Sequence, residues 1–228
     1  MDSFEKERKH IVDLINQYNK NKYNVLMELE NYIKENNIDL KNINNENFDL
    51  LNFTINSISN NNKKEGIYYD SYDNVKLINF IIKHCPYENL NYIYPRSIIQ
   101  EPPLFTAISK YKFKIADYLI KQGANINYKI NSNNINNNMN IINSLNKQCD
   151  DKILKYILNR NFDISNITLD LLNKLINKKE NLLNIIFKHY IFDNDFILRF
   201  TSFYKNKIPL SNEKLKELID EEKNKIYG

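Results

Sequence analysis

Residues 102–127, PPLFTAISKYKFKIADYLIKQGANIN, carry the clearest structural pattern in the chain. Ala107 and Ile108 lie on the apolar side of a short segment that predicts one helix. A second helix is predicted by apolar side chains at i, i+3, i+4 and i+5 spacing, at Ile115, Tyr118, Leu119 and Ile120. Gly123 follows this helix at its C′ position, where only a residue tolerant of positive φ sits without strain.

The same layout recurs at intervals of 38 residues. Asn161 takes the place of Gly123 in the next copy, and asparagine is the second-best residue for a left-handed turn. In the preceding copy Cys85 takes that place, and in a weaker N-terminal copy at 29–33 only the apolar pattern survives, without turn residues. The matching apolar positions are Leu77, Phe80, Ile81 and Ile82 before the clear copy, and Ile153, Tyr156, Ile157 and Leu158 after it.

A helix pair of this kind cannot bury its apolar face alone, so successive pairs must stack. We therefore predict an all-α solenoid of about four to five degenerate helix pairs over residues 25–190. Two Asn-rich stretches, 59–74 and 131–140, interrupt the pattern and are predicted to be flexible surface loops, since they lack apolar groups to offset ordering entropy. Residues 1–24 and 191–228 are predicted to form helical caps. Their stripes are Ile11, Leu14, Ile15 and Tyr18, and, after Pro209, Leu215, Leu218 and Ile219.

Composition excludes several function classes. The chain holds only three glycines and shows no Gly-rich phosphate loop, HExxH or CxxC motif, and its three histidines are far apart. We therefore expect no catalytic, cofactor-binding or metal-binding site. The charged N-terminus lacks the apolar core of a signal peptide, and no run of 18 apolar residues could form a membrane-spanning helix. Cys85 and Cys149 are interpreted as buried thiols in a reducing compartment. We expect a monomer in the cytoplasm or nucleus, not bound to a membrane.

The clear copy resembles the ankyrin repeat, which opens on Thr-Pro-Leu-His-x-Ala and closes on Gly-Ala-Asp-Ile/Val-Asn. Here the opening reads PPLFTA from Pro102, and the close reads GANIN from Gly123. Pro102 and Phe105 replace the threonine and histidine of the family, so other groups must supply the hydrogen bonds of those side chains. Tyr111 stands where the family has a turn glycine. The Asn- and Ile-rich composition is similar to that of divergent ankyrin-repeat proteins of low-GC eukaryotes.

The resemblance implies an ankyrin-type α-solenoid and a non-enzymatic scaffold that binds a protein partner on its concave surface. The alternative is a nucleic-acid-associated protein that uses lysines and the Asn-rich loops. The net charge is only +4, and the lysines alternate with acidic residues instead of forming the basic face that phosphate binding requires. Mapped onto the clear copy, the implied partner-binding residues are Gln100, Glu101, Ser109, Lys110, Tyr128 and Lys129.

Overall fold

The computed structural model is predominantly α-helical, so the all-α prediction is confirmed. The chain divides into two compact units, Met1–Tyr128 and Lys129–Gly228. The boundary lies inside the region predicted as one repeat array. The residues that the structure describes are 3–18, 22–58, 63–64, 67–68, 72–85, 87–93, 101–131, 138–145, 148–176 and 180–204, together with 217, 220 and 224.

Helix pairs make up both units. The described part of the first unit contains α1 (Ser3–Gln17), α2 (Lys22–Glu35), a 3₁₀ turn (Leu40–Ile43), α3 (Leu50–Ser57), the hairpin of β1 (Lys63–Lys64) and β2 (Ile67–Tyr68), α4 (Tyr72–His84), α5 (Pro103–Ser109) and α6 (Phe113–Lys121). The described part of the second unit contains the hairpin of β3 (Ile130–Asn131) and β4 (Asn138–Met139), α7 (Ile141–Leu145), α8 (Asp151–Leu158), a 3₁₀ turn (Ile164–Asn166), α9 (Leu169–Ile176), α10 (Glu180–His189) and α11 (Asn194–Tyr204).

The buried face of the second helix agrees with the predicted one in α8, where all four predicted side chains are buried, and differs slightly from it in α4 and α6. In α6 the side chains of Tyr118 and Ile120 are only half-buried, whereas Ala116, which the periodicity did not single out, is fully buried. The predicted spacing is therefore replaced by i, i+1 and i+4. Three helices bury this set in the same 38-residue register: Leu77, Ile78 and Ile81 in α4, Ile115, Ala116 and Leu119 in α6, and Ile153, Leu154 and Ile157 in α8.

A residue in the left-handed conformation follows each of the helices α2, α6 and α8 at an equivalent position. Gly123 has φ 98° and Asn161 has φ 57°, as predicted from their residue types. Asn37, after α2, has φ 50°, so the expectation that the N-terminal copy lacks its turn residue was wrong. The same two backbone bonds close the turns at both Asn37 and Gly123. They join Asn37 N to Lys34 O and Ile38 N to Ile33 O, and Gly123 N to Ile120 O and Ala124 N to Leu119 O.

A second recurring feature lies two residues beyond each of these turns. Asp39, Asn125 and Asp163 each accept, through Oδ1, a bond from the backbone N–H two positions later, at 2.8–2.9 Å. Such a turn satisfies backbone donors where the chain leaves the helix. The residue between the left-handed position and this turn is buried in all three copies, as Ile38, Ala124 and Phe162.

Replacing Gly123 with alanine tests the left-handed turn in isolation. A Cβ at this position would meet no atom within 4 Å, so the cost is that of the positive φ alone. We expect the free energy of unfolding to fall by about 1 kcal/mol. Gln122→Ala is the matched control, because Gln122 is exposed and has an ordinary φ of −87°. Chemical denaturation followed by circular dichroism measures both, and equal stabilities of the two variants would contradict the prediction.

Helices that have the same place in successive pairs pack against each other. In the first unit α3 contacts α5 and α4 contacts α6, in addition to the contacts within each pair. In the second unit α8 contacts α10, and α9 contacts α10. Since first helices meet first helices and second helices meet second helices, each pair covers the apolar face that its neighbour cannot bury alone.

The predicted insertions and caps agree only in part with the structure. Residues 63–64 and 67–68 pair antiparallel within the first insertion, and α4 already begins at Tyr72, so the predicted loop 59–74 extends into a helix. In the second insertion Asn131 pairs antiparallel with Asn138. The predicted N-terminal stripe in α1 is buried, but α2 begins at Lys22 and crosses the predicted boundary at residue 24. The stripe predicted after Pro209 lies outside the described residues.

Candidate partner-binding surfaces

The residues predicted to bind a partner lie in different surroundings. Lys110 is exposed at the C-terminal end of α5, and Tyr128 is half-buried at the end of the first unit. Lys129 is exposed and begins the second unit, where its charge favours the ionised form of Asp163. Gln100 lies outside the described residues. Lys110 and Tyr128 therefore belong to the first unit and Lys129 to the second.

Two of the predicted residues have structural contacts of their own. Ser109 is only 8% exposed, and its hydroxyl donates to the carbonyl of Thr106 at 2.9 Å, so it offers a partner little surface. Glu101 is half-buried, and burial raises the pKa of its carboxyl while the positive charge of Lys110 opposes that rise. Glu101 and Lys110 carry opposite charges at the two ends of α5.

Asparagines supply hydrogen bonds between successive repeats, which the sequence pattern did not reveal. Asn52, buried in α3, donates through Nδ2 to the carbonyl of Glu101 at 3.0 Å, next to the altered opening of the following repeat. Asn140, before α7, donates in the same way to the carbonyl of Asn166 at 2.9 Å. The high asparagine content hides such residues, because one buried asparagine cannot be told from many exposed ones by composition.

A buried polar cluster at the start of α3 was also missed. Asp49 is 2% exposed and caps the helix by accepting from the backbone N–H groups of Leu51 and Asn52 at 3.3 and 3.1 Å. Its Oδ1 also accepts from the hydroxyl of Tyr87 at 3.1 Å, and its Oδ2 from that of Tyr92 at 3.0 Å. Aspartate directly before an apolar segment is a helix-start signal, so the cap was predictable from the sequence and the two tyrosines were not.

Hydrogen bonds from Tyr87 and Tyr92 join the segment after α4 to the start of α3. Their rings stack in parallel, with centroids 5.3 Å apart. The hydroxyl of Tyr87 also accepts from Asn44 Nδ2 and from Leu51 N, both at 3.2 Å. Burial raises the pKa of the Asp49 carboxyl above its ordinary value, and the four bonds it accepts counteract part of this rise. The groups of this cluster point at one another, which is the arrangement of a structural network.

Cys85 lies beside this cluster and is buried, as the sequence suggested for both cysteines. Its Sγ accepts from Asn44 Nδ2 at 3.3 Å, and burial raises the pKa of the thiol. A raised pKa keeps the thiol protonated and unreactive at neutral pH.

The second unit presents an open groove of about 770 Å³. One wall is formed by the turn between α8 and α9, with Ile164, and by Leu169 at the start of α9. The other is formed by the loop after α10, with Ile191, and by Phe196 and Arg199 of α11. Ile191 is 72% exposed and Ile164 is 37% exposed, so apolar side chains line an accessible concave surface.

A hydrogen bond and ring contacts within the second unit fix the positions of the groove walls. The hydroxyl of Tyr190 donates to the carbonyl of Phe162, which joins the two loops. The buried ring of Phe192 stacks on Phe196 with centroids 4.6 Å apart, and it also packs edge-on against Phe187 at 5.2 Å. These contacts lie within the second unit and fix the positions of both walls.

No group of three or more metal-ligating side chains converges in the described residues, and no helix among them is long and apolar enough to span a bilayer. No family model, no curated protein and no solved structure matches the chain.

Proposed function

We propose that this chain is a degenerate ankyrin-type scaffold without catalytic activity, which binds a protein partner. The observation that carries the proposal is the repeated unit itself. A left-handed turn, an Asx turn and the same buried face occur together at α6 and α8, while α2 has the two turns and α4 has the buried face. Helices of the same kind pack against each other within each unit. A repeated construction of this kind supports binding on an extended surface over binding in an enclosed pocket.

The proposed partner surface of the first unit combines the C-terminal end of α5 with the residue that follows the clear repeat. Lys110 is exposed at the first place, and Tyr128 is half-buried at the second. Tyrosine is enriched at protein interfaces, and an exposed lysine suits their polar rim. Glu101 precedes α5 and adds a negative charge at its other end. Ser109, which faces inward, is not part of this surface.

Affinity capture from the native cell tests this proposal. We expect the wild type to retain at least one protein that a Lys110→Glu, Tyr128→Ala double variant loses by about tenfold or more, because a positive charge is reversed and an aromatic anchor is removed. The matched control is Lys121→Glu, Tyr72→Ala, which makes the same changes at exposed residues of α6 and α4.

Equal recovery of every protein by the two double variants would contradict the proposed surface. Capture is repeated after nuclease treatment of the lysate. Loss of all captured proteins on that treatment would favour the alternative, a nucleic-acid-associated protein.

A further inference from the structure

We propose that the groove of the second unit binds an amphipathic, basic segment of a partner protein. An apolar side chain of that segment would lie against Ile191 and Ile164, and a lysine or arginine would face Asp193. This site belongs to the second unit alone and uses none of the residues of the surface proposed for the first unit.

The exposed isoleucines indicate the apolar part of the occupant. An isoleucine that is 72% exposed in the lining of an apolar groove leaves area that is favourable to bury. Ile191 is held between Tyr190 and Phe192, both of which are fixed by contacts within the unit. Little conformational entropy would therefore be lost from this wall when a ligand binds.

The charges of the groove indicate the polar part of the occupant. Asp193 and Arg199 both line it. The guanidinium of Arg199 is bridged to Asp195 at 2.7 Å, so its charge is already neutralised. Asp193 is exposed and uses one oxygen to accept the backbone N–H of Phe196 at 2.7 Å. With Arg199 bridged to Asp195, Asp193 gives the described lining a net negative charge, so a cation is the complementary group.

The probe for this site is a phage-displayed library of random 12-residue peptides. The library is depleted on the Ile191→Ser variant and then selected on the wild-type protein. We expect enriched peptides to combine large apolar residues with lysine or arginine. A synthetic peptide of the most enriched sequence should bind Ile191→Ser at least about tenfold more weakly than the wild type, since the apolar contact is lost.

Two further variants make the result specific. Leu198→Ser is the matched control, because Leu198 is a 56% exposed leucine of α11 that does not line the groove. This variant should bind the selected peptide with the same affinity as the wild type. Asp193→Asn keeps the helix cap but removes the charge, so binding should weaken and lose most of its dependence on salt. Circular dichroism verifies that each variant is folded.

Absence of enrichment, enrichment of acidic peptides, or equal affinity for the wild type and Ile191→Ser would overturn the proposed site. None of these outcomes bears on the capture experiment, whose variants lie in the first unit. Failure of the groove and failure of the proposed function are therefore distinguishable.

Discussion

Unfolding of the Asp49→Ala variant is expected to require about 3 kcal/mol less free energy than unfolding of the wild type. The change removes the cap of α3 and the carboxylate that accepts hydrogen bonds from the hydroxyls of Tyr87 and Tyr92. Loss of a cap costs about 1 kcal/mol, and loss of each hydrogen bond to the carboxylate costs about as much again. Urea unfolding monitored by circular dichroism and tyrosine fluorescence measures the difference.

Asp49→Asn is the informative partner of this variant. Asparagine is an equally good cap and retains one acceptor oxygen, so most of the loss should be recovered. An Asn variant as unstable as the Ala variant would show that the negative charge itself is required. An Ala variant as stable as the wild type would contradict the structural role of the whole cluster.

Stability as a function of pH tests the same carboxyl independently. Burial raises the pKa of Asp49 in the folded state above the value in the unfolded chain, so the folded state binds this proton more tightly. The stabilisation linked to protonation is fully present below the ordinary aspartate pKa and is lost as the pH rises through the folded value. As the pH falls from about 7 to about 4, the difference in unfolding free energy between the wild type and Asp49→Asn should therefore change in favour of the wild type. A difference that stays constant over this range would contradict the raised pKa.

The second large effect is expected at Lys112, whose side chain is only 2% exposed. Its ammonium donates to the carbonyl of Ile55 near the C-terminal end of α3, where the helix dipole favours a positive charge. Lys112→Ala removes the buried aliphatic stem together with this bond. We expect a loss of about 3 kcal/mol in the free energy of unfolding, since each buried methylene contributes about 0.8 kcal/mol.

Lys112→Met separates the two contributions. Methionine keeps most of the stem and removes the charge, so a loss of about 1 kcal/mol is expected for the missing bond. Lys110→Ala is the control, because this exposed lysine lies two positions earlier and its removal should change stability by less than about 0.5 kcal/mol. Equal losses for Lys112→Ala and Lys110→Ala would contradict the buried contact.

The predicted partner-binding residues show where inference from the sequence was insufficient. The ankyrin resemblance selected Lys110, which is exposed in the structure, but it also selected Ser109, which faces inward. On so short a helix, one position of error turns a surface side chain into a buried one. The groove of the second unit left no signal, because its walls come from two loops that have no common periodicity.

Local sequence determined the helices, the 38-residue register and the left-handed turns at Gly123 and Asn161. These features depend on residues within one or two helical turns of each other, and apolar periodicity and turn chemistry record them directly. Tertiary structure alone decided that Ala116 is buried and Tyr118 only half-buried, since the helices that pack against α6 select its face. It also joined Asp49 to Tyr87 and Lys112 to Ile55, pairs that lie 38 and 57 residues apart. Contacts at such distances depend on how the helix pairs pack, and no local pattern in the sequence encodes them.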